Sequence, residues 1–332
     1  MRALVTGGCG FIGSSLVSRL VKDGHEVDAV DNLSNGDLSA LECDFKAIHP
    51  ALLAYEPDDR KKLPGVASVI TGDFADSTIL RNILNRKYDV IFHLAANPRV
   101  QYSVEKPLES HEENTYKSIA LFKAAAEAKT RVVFSSSSAI YGDVLNLPTR
   151  ETSSPSPQSP YGLQKLHCED YLEMFGNLYG LNSVSLRYFN VYGPGAYGDS
   201  PYATAIAAWC HAIHDGRPLR SDGDGTQTRD LVYVGDVVEA NILAATCTSS
   251  QKSNKINIAT GERYSNNEIL DMLKERFDDL DIVHAPKREG DVQDTQGDTR
   301  HAIETLGFKA TTSLAEGLEK TIEWWKSKND KS

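Results

Sequence analysis

The stretch Ala3-Leu4-Val5-Thr6-Gly7-Gly8-Cys9-Gly10-Phe11-Ile12-Gly13 decides the fold of this chain. A short apolar run breaks on glycine and passes directly into a helical pattern over residues 15–22. The glycines read as Gly7-x-x-Gly10-x-x-Gly13, and Gly8 to Gly13 also fits G-x-G-x-x-G. A strand that turns this sharply into a helix leaves backbone N–H groups and the helix N-terminus facing outward with no Cβ in the way. That arrangement receives a pyrophosphate. A second apolar run, residues 27–30, ends in Asp31, 18 residues beyond Gly13. A carboxylate placed there accepts hydrogen bonds from both hydroxyls of an adenosine ribose. No Arg or Lys follows Asp31 immediately, so a 2′-phosphate would meet only negative charge, and NAD is expected rather than NADP.

Outward from this turn, apolar runs recur at residues 69–70, 90–92, 132–134 and 183–186, separated by helical patterns at 118–128 and 164–175. Buried parallel strands alternating with crossover helices give this rhythm. The expected fold is α/β, a doubly wound parallel sheet with a smaller mixed α/β substrate domain. The rhythm loosens after Phe189, where Gly193-Pro194-Gly195 and the glycines between 216 and 225 interrupt it, and helices are expected at 204–214 and 267–277. Residues 1–189 plus about 229–260 are assigned to the first domain, with 231–245 and 255–258 returning to the sheet. Residues 190–228 plus 261–332 form the second. The span from Asp31 to Asp73 is long for one strand-helix-strand step, so residues 38–62 are expected to add a helix and a loop. Residues 153–160, rich in Ser and Pro, read as an ordered loop that positions Tyr161.

Composition sets the outer limits. The 332 residues carry 46 Asp plus Glu against 35 Lys plus Arg, a formal charge of −11, so a polyanion-binding surface and nucleic-acid partners are not expected. No stretch approaches the ~18 apolar residues of a membrane helix, and the N-terminus does not read as a signal peptide. The five cysteines, Cys9, Cys43, Cys168, Cys210 and Cys247, are odd in number and lack C-x-x-C, which argues against a disulfide framework and a structural zinc site. A reducing cytoplasm fits them.

Chemistry concentrates downstream. In Tyr161-Gly162-Leu163-Gln164-Lys165 a phenol and an ammonium stand four residues apart on one helix face. A nearby cation, helped by a positive nicotinamide ring, favours the phenolate and makes it a usable base near neutrality. The serine run 135–138 follows an apolar strand, presenting hydroxyls at its carboxyl end, where doubly wound sheets bind ligands.

These pieces, with Asp31-Asn32-Leu33-Ser34-Asn35-Gly36, Gly72-Asp73-Phe74, His93-Leu94-Ala95-Ala96, Asn114, Tyr141-Gly142, Arg187-Tyr188-Phe189-Asn190, Arg229-Asp230 and Arg288-Glu289-Gly290-Asp291, resemble the extended short-chain dehydrogenase/reductases. Within them the chain is most similar to nucleotide-sugar epimerases of the UDP-galactose (UDP-glucose) 4-epimerase type. The resemblance covers nearly the whole length. It implies a Rossmann domain, NAD as cofactor, a UDP-sugar substrate and a homodimer. By position it makes Ser137 the catalytic hydroxyl, Tyr161 the acid/base, and Lys165 its partner and a ligand of the nicotinamide ribose. It also implies cofactor contacts from Gly7, Gly10, Phe11, Ile12, Gly13, Asp31, Asn32, Ser34, Asn35, Gly36, Asp73, Phe74, Leu94, Ala95, Ala96, Asn114 and Phe189. Asn190, Arg229 and Arg288 resemble the clamp on the UDP diphosphate, Asp291 the uridine-ribose ligand, and Thr295 a side chain that limits room beside the sugar C2 substituent. Two guanidiniums suit phosphate oxygens, since each offers a planar fork of donors.

The family also contains dehydratases, decarboxylases and reductases. The dehydratases carry an acidic residue between the catalytic hydroxyl and the Tyr-Gly, and the decarboxylases resemble that Glu-bearing pattern. Here those positions are Ser138 and Ala139, neither able to transfer a proton for elimination. The resemblance then implies 4-epimerisation of a UDP-hexose through a transient 4-keto sugar, on UDP-glucose and UDP-galactose and, given the small Thr295, on their N-acetylated counterparts. A UDP-glucuronate 4-epimerase, a nucleotide-sugar 4-reductase and a sensor of NAD or nucleotide sugar remain alternatives. Among other features, His211 and His214 lack acidic or Cys partners at metal spacing and read as surface or interface residues, and no metal is expected. Asp222-Gly223-Asp224-Gly225 reads as a turn, Trp324-Trp325 as packing of a terminal helix, and Cys9 as a small residue in the turn, open to alkylation.

Overall fold

The computed structural model describes residues 1–48, 65–196, 198, 204–247, 253–277, 279–287 and 292–329. The strands are β1 (Arg2–Thr6), β2 (Glu26–Asp31), β3 (Asp44–Ile48), β4 (Val66–Thr71), β5 (Val90–His93), β6 (Arg131–Ser137), β7 (Ser183–Tyr188), β8 (Asn190–Tyr192), β9 (Leu219–Asp222), β10 (Thr228–Arg229), β11 (Leu231–Tyr233), β12 (Ser253–Ile258), β13 (Tyr264–Ser265) and β14 (Ile282–Ala285). The helices are α1 (Phe11–Lys22), α2 (Ser77–Leu84), α3 (Val100–Glu105), α4 (Pro107–His111), α5 (Lys117–Ala128), α6 (Pro160–Tyr179), α7 (Ala205–His214), α8 (Val234–Thr246), α9 (Asn266–Lys274), α10 (Arg300–Leu306) and α11 (Leu314–Asn329).

Eight strands join in the order β12-β7-β6-β5-β1-β2-β4-β3, and every pairing is parallel. The apolar runs become its central strands because both faces are covered. Leu16, Val17, Leu20 and Val21 of α1 pack one face together with Val237, Val238, Ala240 and Ala244 of α8. The other face meets Ile79 and Ile83 of α2, the alanine stretch of α5, and Cys168, Leu172 and Phe175 of α6. The chain leaves β1 in one direction to β2 and later returns on its other side as β5, so a crevice opens at the carboxyl ends of these strands.

One expectation falls largely outside the described residues, and one changes. The described part of the 38–62 segment is a short 3-10 turn, Leu38–Ala40, followed by edge strand β3, with no helix; residues 49–64 lie outside the described residues. Only Ile48 of β3 is buried, so the strand is held by its ladder to β4 and leaves no apolar run to read. Residues 231–233 pair with β8 in a separate two-stranded sheet, and it is helix α8 behind them that packs on the main sheet. Residues 253–258 form the edge strand beside β7.

The smaller lobe gathers Trp209, Leu219, Leu231, Ile269, Leu273, Leu318 and Ile322 around the pairs β8·β11, β9·β14 and β10·β13. His211 stacks on Trp325 with ring centroids 4.9 Å apart and His214 packs tilted against it at 5.3 Å, which makes them packing residues. The two lobes meet at Asp230, whose fully buried carboxylate accepts from Thr260 N (2.8 Å), Thr260 Oγ1 (2.7 Å), Gly261 N (3.0 Å) and Gly297 N (3.0 Å). Burial still pushes its carboxyl above the usual range.

Two buried polar groups brace the crevice from below. Arg187 of β7 donates to Glu169 of α6 through Nη2 (2.6 Å) and Nε (2.9 Å) and to Tyr141 Oη (2.8 Å), while Ser136 Oγ donates to Glu169 at 2.5 Å. Tyr141 in turn donates to Asn257 of β12 at 2.6 Å. His93 ends β5 with no exposure, its Nδ1 2.7 Å from Thr6 Oγ1 and its Nε2 2.8 Å from Ser118 Oγ. Ser118 spends its proton on Asn114 O (2.8 Å) and Thr6 Oγ1 accepts from Ala95 N (3.2 Å). The proton of the imidazole therefore sits on Nε2, and Nδ1 accepts from Thr6.

Glu169→Gln leaves the Arg187 charge buried without its counter-ion and is expected to lower the unfolding free energy in urea by about 3–5 kcal/mol. A loss below about 1 kcal/mol would show that the pair is not a principal brace. Burial, reinforced by Lys165, holds the His93 imidazole down at about 3. The folded protein therefore binds fewer protons than the unfolded chain between about 3 and the ordinary imidazole value near 6.5, and stability falls as pH drops through that window. Above it His93 contributes no pH dependence. Nitrogen NMR of histidine-labelled protein is expected to show this ring neutral, protonated on Nε2, at pH 5; a doubly protonated ring there would contradict the assignment.

Candidate active site

The crevice is a cleft of about 1770 Å³ running from the glycine turn, past the end of β6, to the smaller lobe. At its head a Cβ on Gly13 would lie 1.9 Å from Gly7 O, and one on Gly7, where φ is +70°, would lie 2.8 Å from Ala95 N. These two glycines let α1 leave β1 at close quarters and press the turn against the strand-end loop 94–96. Gly10 differs. A Cβ there would meet only Gly7 O, at 3.3 Å, and the residue lines the cleft, so its missing side chain keeps space open at the N-terminus of α1. A diphosphate fits that cradle. Asp31 Oδ2 accepts from Cys9 N (2.9 Å) and Oδ1 from Leu33 N (2.8 Å), which points the carboxylate into the cleft with acceptor capacity remaining for a ribose. The residues present thus fit NAD. Cys9 has no exposure, and burial, then Asp31 and Asp37, push its thiol up to about 12. The expectation that it is open to alkylation is corrected: the thiol is closed off within the core behind the turn.

Phe11, Ile12, Asn32, Ser34, Asn35, Gly36, Asp73, Phe74, Leu94, Ala95 and Ala96 all line the same end of the cleft. Asp73 is held by Lys117 Nζ at 2.6 Å, and Lys117 also lines the cleft. Sequence reading missed this lysine; its only signal was its place three residues after Asn114. Asn114 itself stands behind the wall, 2% exposed and outside the lining. Its Oδ1 accepts from Asn97 N (2.7 Å), and its Nδ2 donates to Asn97 O (3.0 Å) and Gln164 Oε1 (2.8 Å). In this structure it supports Asn97, which does line the cleft. A π turn at Glu112–Tyr116 turns Asn114 inward.

Ser137 ends β6 and its Oγ accepts from Ala139 N at 3.1 Å, starting the turn Ser138–Ile140. Helix α6 begins against that turn: a Cβ on Gly162 would lie 2.6 Å from Ala139 O. This close approach sets the Tyr161 phenol beside Ser137, whose hydroxyl favours the ionised form of the phenol. Lys165, one turn on, donates from Nζ to Ser135 O at 2.6 Å and sits 4.7 Å from the Phe134 ring centroid and 5.9 Å from that of Tyr161. The three expected catalytic residues are thus brought together. Their titration departs from expectation. Burial pushes the phenol up to about 12 against the downward pull of Ser137, and burial pushes the ammonium down to about 8. Lys165, committed to Ser135, does not offset the desolvation of Tyr161, so without further positive charge the phenol stays protonated at neutrality.

Toward the smaller lobe, Phe189, Asn190, Arg229 and Thr295 line the cleft. Asn190 Nδ2 donates to Thr295 Oγ1 (3.1 Å) and to Asp230 O (3.1 Å), and Thr295 Oγ1 also accepts from Asp230 N (3.2 Å). Arg229 Nη1 donates to Thr228 O (2.9 Å) and Gln293 O (3.0 Å). Arg288 and Asp291, expected on the same ligand, lie outside the described residues. Sequence reading did not assign Arg99, Val100, Gln101, Val104 and Glu105, which line the wall from the start of α3. No motif marks so short a helix.

Residues 3–259 match the NAD dependent epimerase/dehydratase family. A UDP-glucose 4-epimerase of Mycolicibacterium smegmatis is 35% identical over 334 residues, covering 99% of this chain and 100% of that protein. The solved UDP-glucose 4-epimerase of Thermotoga maritima, with UDP-glucose, superposes with a TM-score of 0.87 at 35% identity, covering 99% and 100% of the two chains. A UDP-N-acetylglucosamine 4-epimerase from Methanobrevibacter ruminantium, in complex with UDP-N-acetylmuramic acid, gives the same TM-score and identity over 98% of each chain. With a parallel sheet, a glycine cradle that fits NAD, and a Ser-Tyr-Lys cluster at one cleft, the chain belongs to the NAD dependent epimerase/dehydratase family.

Proposed function

We propose that this protein is a UDP-hexose 4-epimerase, interconverting UDP-glucose and UDP-galactose, with N-acetylated UDP-hexosamines as further substrates. The reading is carried by one observation: Ser137, Tyr161 and Lys165 line one stretch of cleft, Lys165 Nζ 5.9 Å from the Tyr161 ring centroid, and the adjoining lining residues, Ser138 and Ala139, hold no carboxyl group. Proton transfer at one hydroxyl is supported there, and elimination or decarboxylation assisted by a neighbouring acid is not.

Bound NAD supplies a hydride acceptor that also serves as donor. Tyr161 accepts the proton of the sugar O4 as that carbon is oxidised, and returns it when the 4-keto sugar is reduced on its opposite face. Ser137 passes a hydrogen bond between the phenol and O4. Lys165 holds the strand end through Ser135 O and orients toward the cofactor ribose. A phenol held near 12 by burial needs a positive charge beside it to act as base. The base is therefore latent until the oxidised cofactor is in place. Asn190, Arg229, Arg288 and Asp291 are assigned to the UDP moiety. Holding the diphosphate while leaving the hexose few fixed contacts lets the keto ring present either face. Thr295, its hydroxyl engaged by Asn190 and Asp230, lines the cleft and is assigned to the side of the sugar C2 substituent, where its small size leaves room.

The deciding experiment is incubation of the purified protein, without added reductant, with UDP-glucose, UDP-N-acetylglucosamine and UDP-glucuronate separately, followed by proton NMR of the anomeric signals. The 4-epimer of UDP-glucose is expected at constant total UDP-sugar. Conversion of UDP-glucuronate alone would reassign the enzyme to uronic substrates, and no conversion of any would remove the epimerase reading. Tyr161→Phe is expected to retain UDP binding and lose roughly 100- to 10,000-fold in turnover. A smaller loss would place the acid/base elsewhere.

A further inference from the structure

Helix α6 starts with a constraint that the catalytic cluster does not explain. The first N–H groups of a helix have no partner within it. Here Pro160 has no N–H to satisfy, Gly162 N donates to Ser159 Oγ at 3.2 Å and Leu163 N to Ser159 O at 3.1 Å. The remaining group is the N–H of Tyr161, and it donates to Ser103 Oγ of α3 at 3.1 Å. Ser103 has no exposure, and its own proton goes to Val100 O at 2.6 Å. Its hydroxyl is thus oriented as an acceptor toward one N–H, that of the residue carrying the phenol. The neighbours of Ser103 on α3, Val100, Gln101 and Val104, form the cleft wall.

We infer that Ser103 is a positioning residue for Tyr161: it ties the backbone of that tyrosine to the cleft-lining helix α3 and so fixes where the phenol stands relative to Ser137. The inference rests on the reading of Tyr161 as the acid/base. The physical case is that a buried N–H must keep a partner. Gly162 against Ala139 O sets the distance of α6 from the serine turn, and Ser103 sets its position relative to α3. Without the hydroxyl, the Tyr161 N–H must turn toward another acceptor or remain buried without one, and either response moves the first turn of α6 and the ring it carries.

The test uses full-length, NAD-loaded protein as wild type, Ser103→Ala and Ser103→Thr, with Tyr161→Phe as the spectral blank. The first readout is the absorbance titration of the Tyr161 phenol, which needs no substrate. The second is kcat and KM for UDP-glucose. Ser103→Ala is expected to raise the phenol pKa by about half a unit or more, as the ring leaves Ser137. It is also expected to lower kcat about tenfold or more while KM stays within about twofold, the pattern of an interaction made in the transition state. Ser103→Thr, which keeps the hydroxyl, is expected to restore both. A folded Ser103→Ala protein with an unmoved phenol titration overturns the inference, as does lower thermal stability or weaker NAD binding with that titration unmoved. If the wild type converts no UDP-sugar, the functional reading falls while the titration still decides the role of Ser103. Should Ser103→Ala not fold, Ser103→Cys takes its place, since a thiol is a weaker acceptor at the same site. A smaller shift in the same direction then supports the inference, and wild-type values overturn it.

Discussion

Polar groups gathered at the carboxyl ends of buried parallel strands must find partners without water, and much of this molecule follows from that requirement. The helices on both faces exclude solvent from the sheet, yet the site needs hydroxyls, a phenol, an ammonium and carboxylates at its edge. Each is held by a second polar group lying deeper. His93 links Thr6 of β1 to Ser118 of α5, Arg187 ties α6 to β7 through Glu169, and Asp230 gathers four donors where the lobes meet. Such networks rigidify when complete and are costly when one member is lost.

The same reasoning explains where glycine is required. Gly13 against Gly7 and Gly162 against Ala139 are both places where a helix starts closer to a strand-end loop than any side chain allows. The first approach makes the diphosphate cradle and the second sets the phenol beside Ser137. Between them the cleft acquires a cofactor end and a second end beside the serine turn.

At the Tyr161-Lys165 end of the cleft burial outweighs pairing. The phenol of Tyr161 is pushed up and the ammonium of Lys165 down, each toward its neutral form. A phenol desolvated in this way is ionised only beside a positive charge.

The sequence by itself determined the parallel sheet, the glycine turn with Asp31, and the Tyr161-Lys165 pair on one helix face, because strand burial, tight turns and i, i+4 spacing are local and leave periodic marks; Ser137 was placed beside that pair by the family resemblance. It could not show edge strand β3, which is held by backbone ladder bonds with one buried side chain. Nor could it show that residues 231–233 leave the main sheet for β8, since strand partners are chosen by the whole fold. Nor could it show that Asn114, in the π turn Glu112–Tyr116, pairs with Asn97, since no residue pattern marks that turn. Lys117 on Asp73 and Ser103 under Tyr161 are contacts across 44 and 58 residues. Only tertiary structure decides such pairs: a single hydroxyl or ammonium has no periodicity, and its meaning comes from what the fold sets within about 3 Å of it.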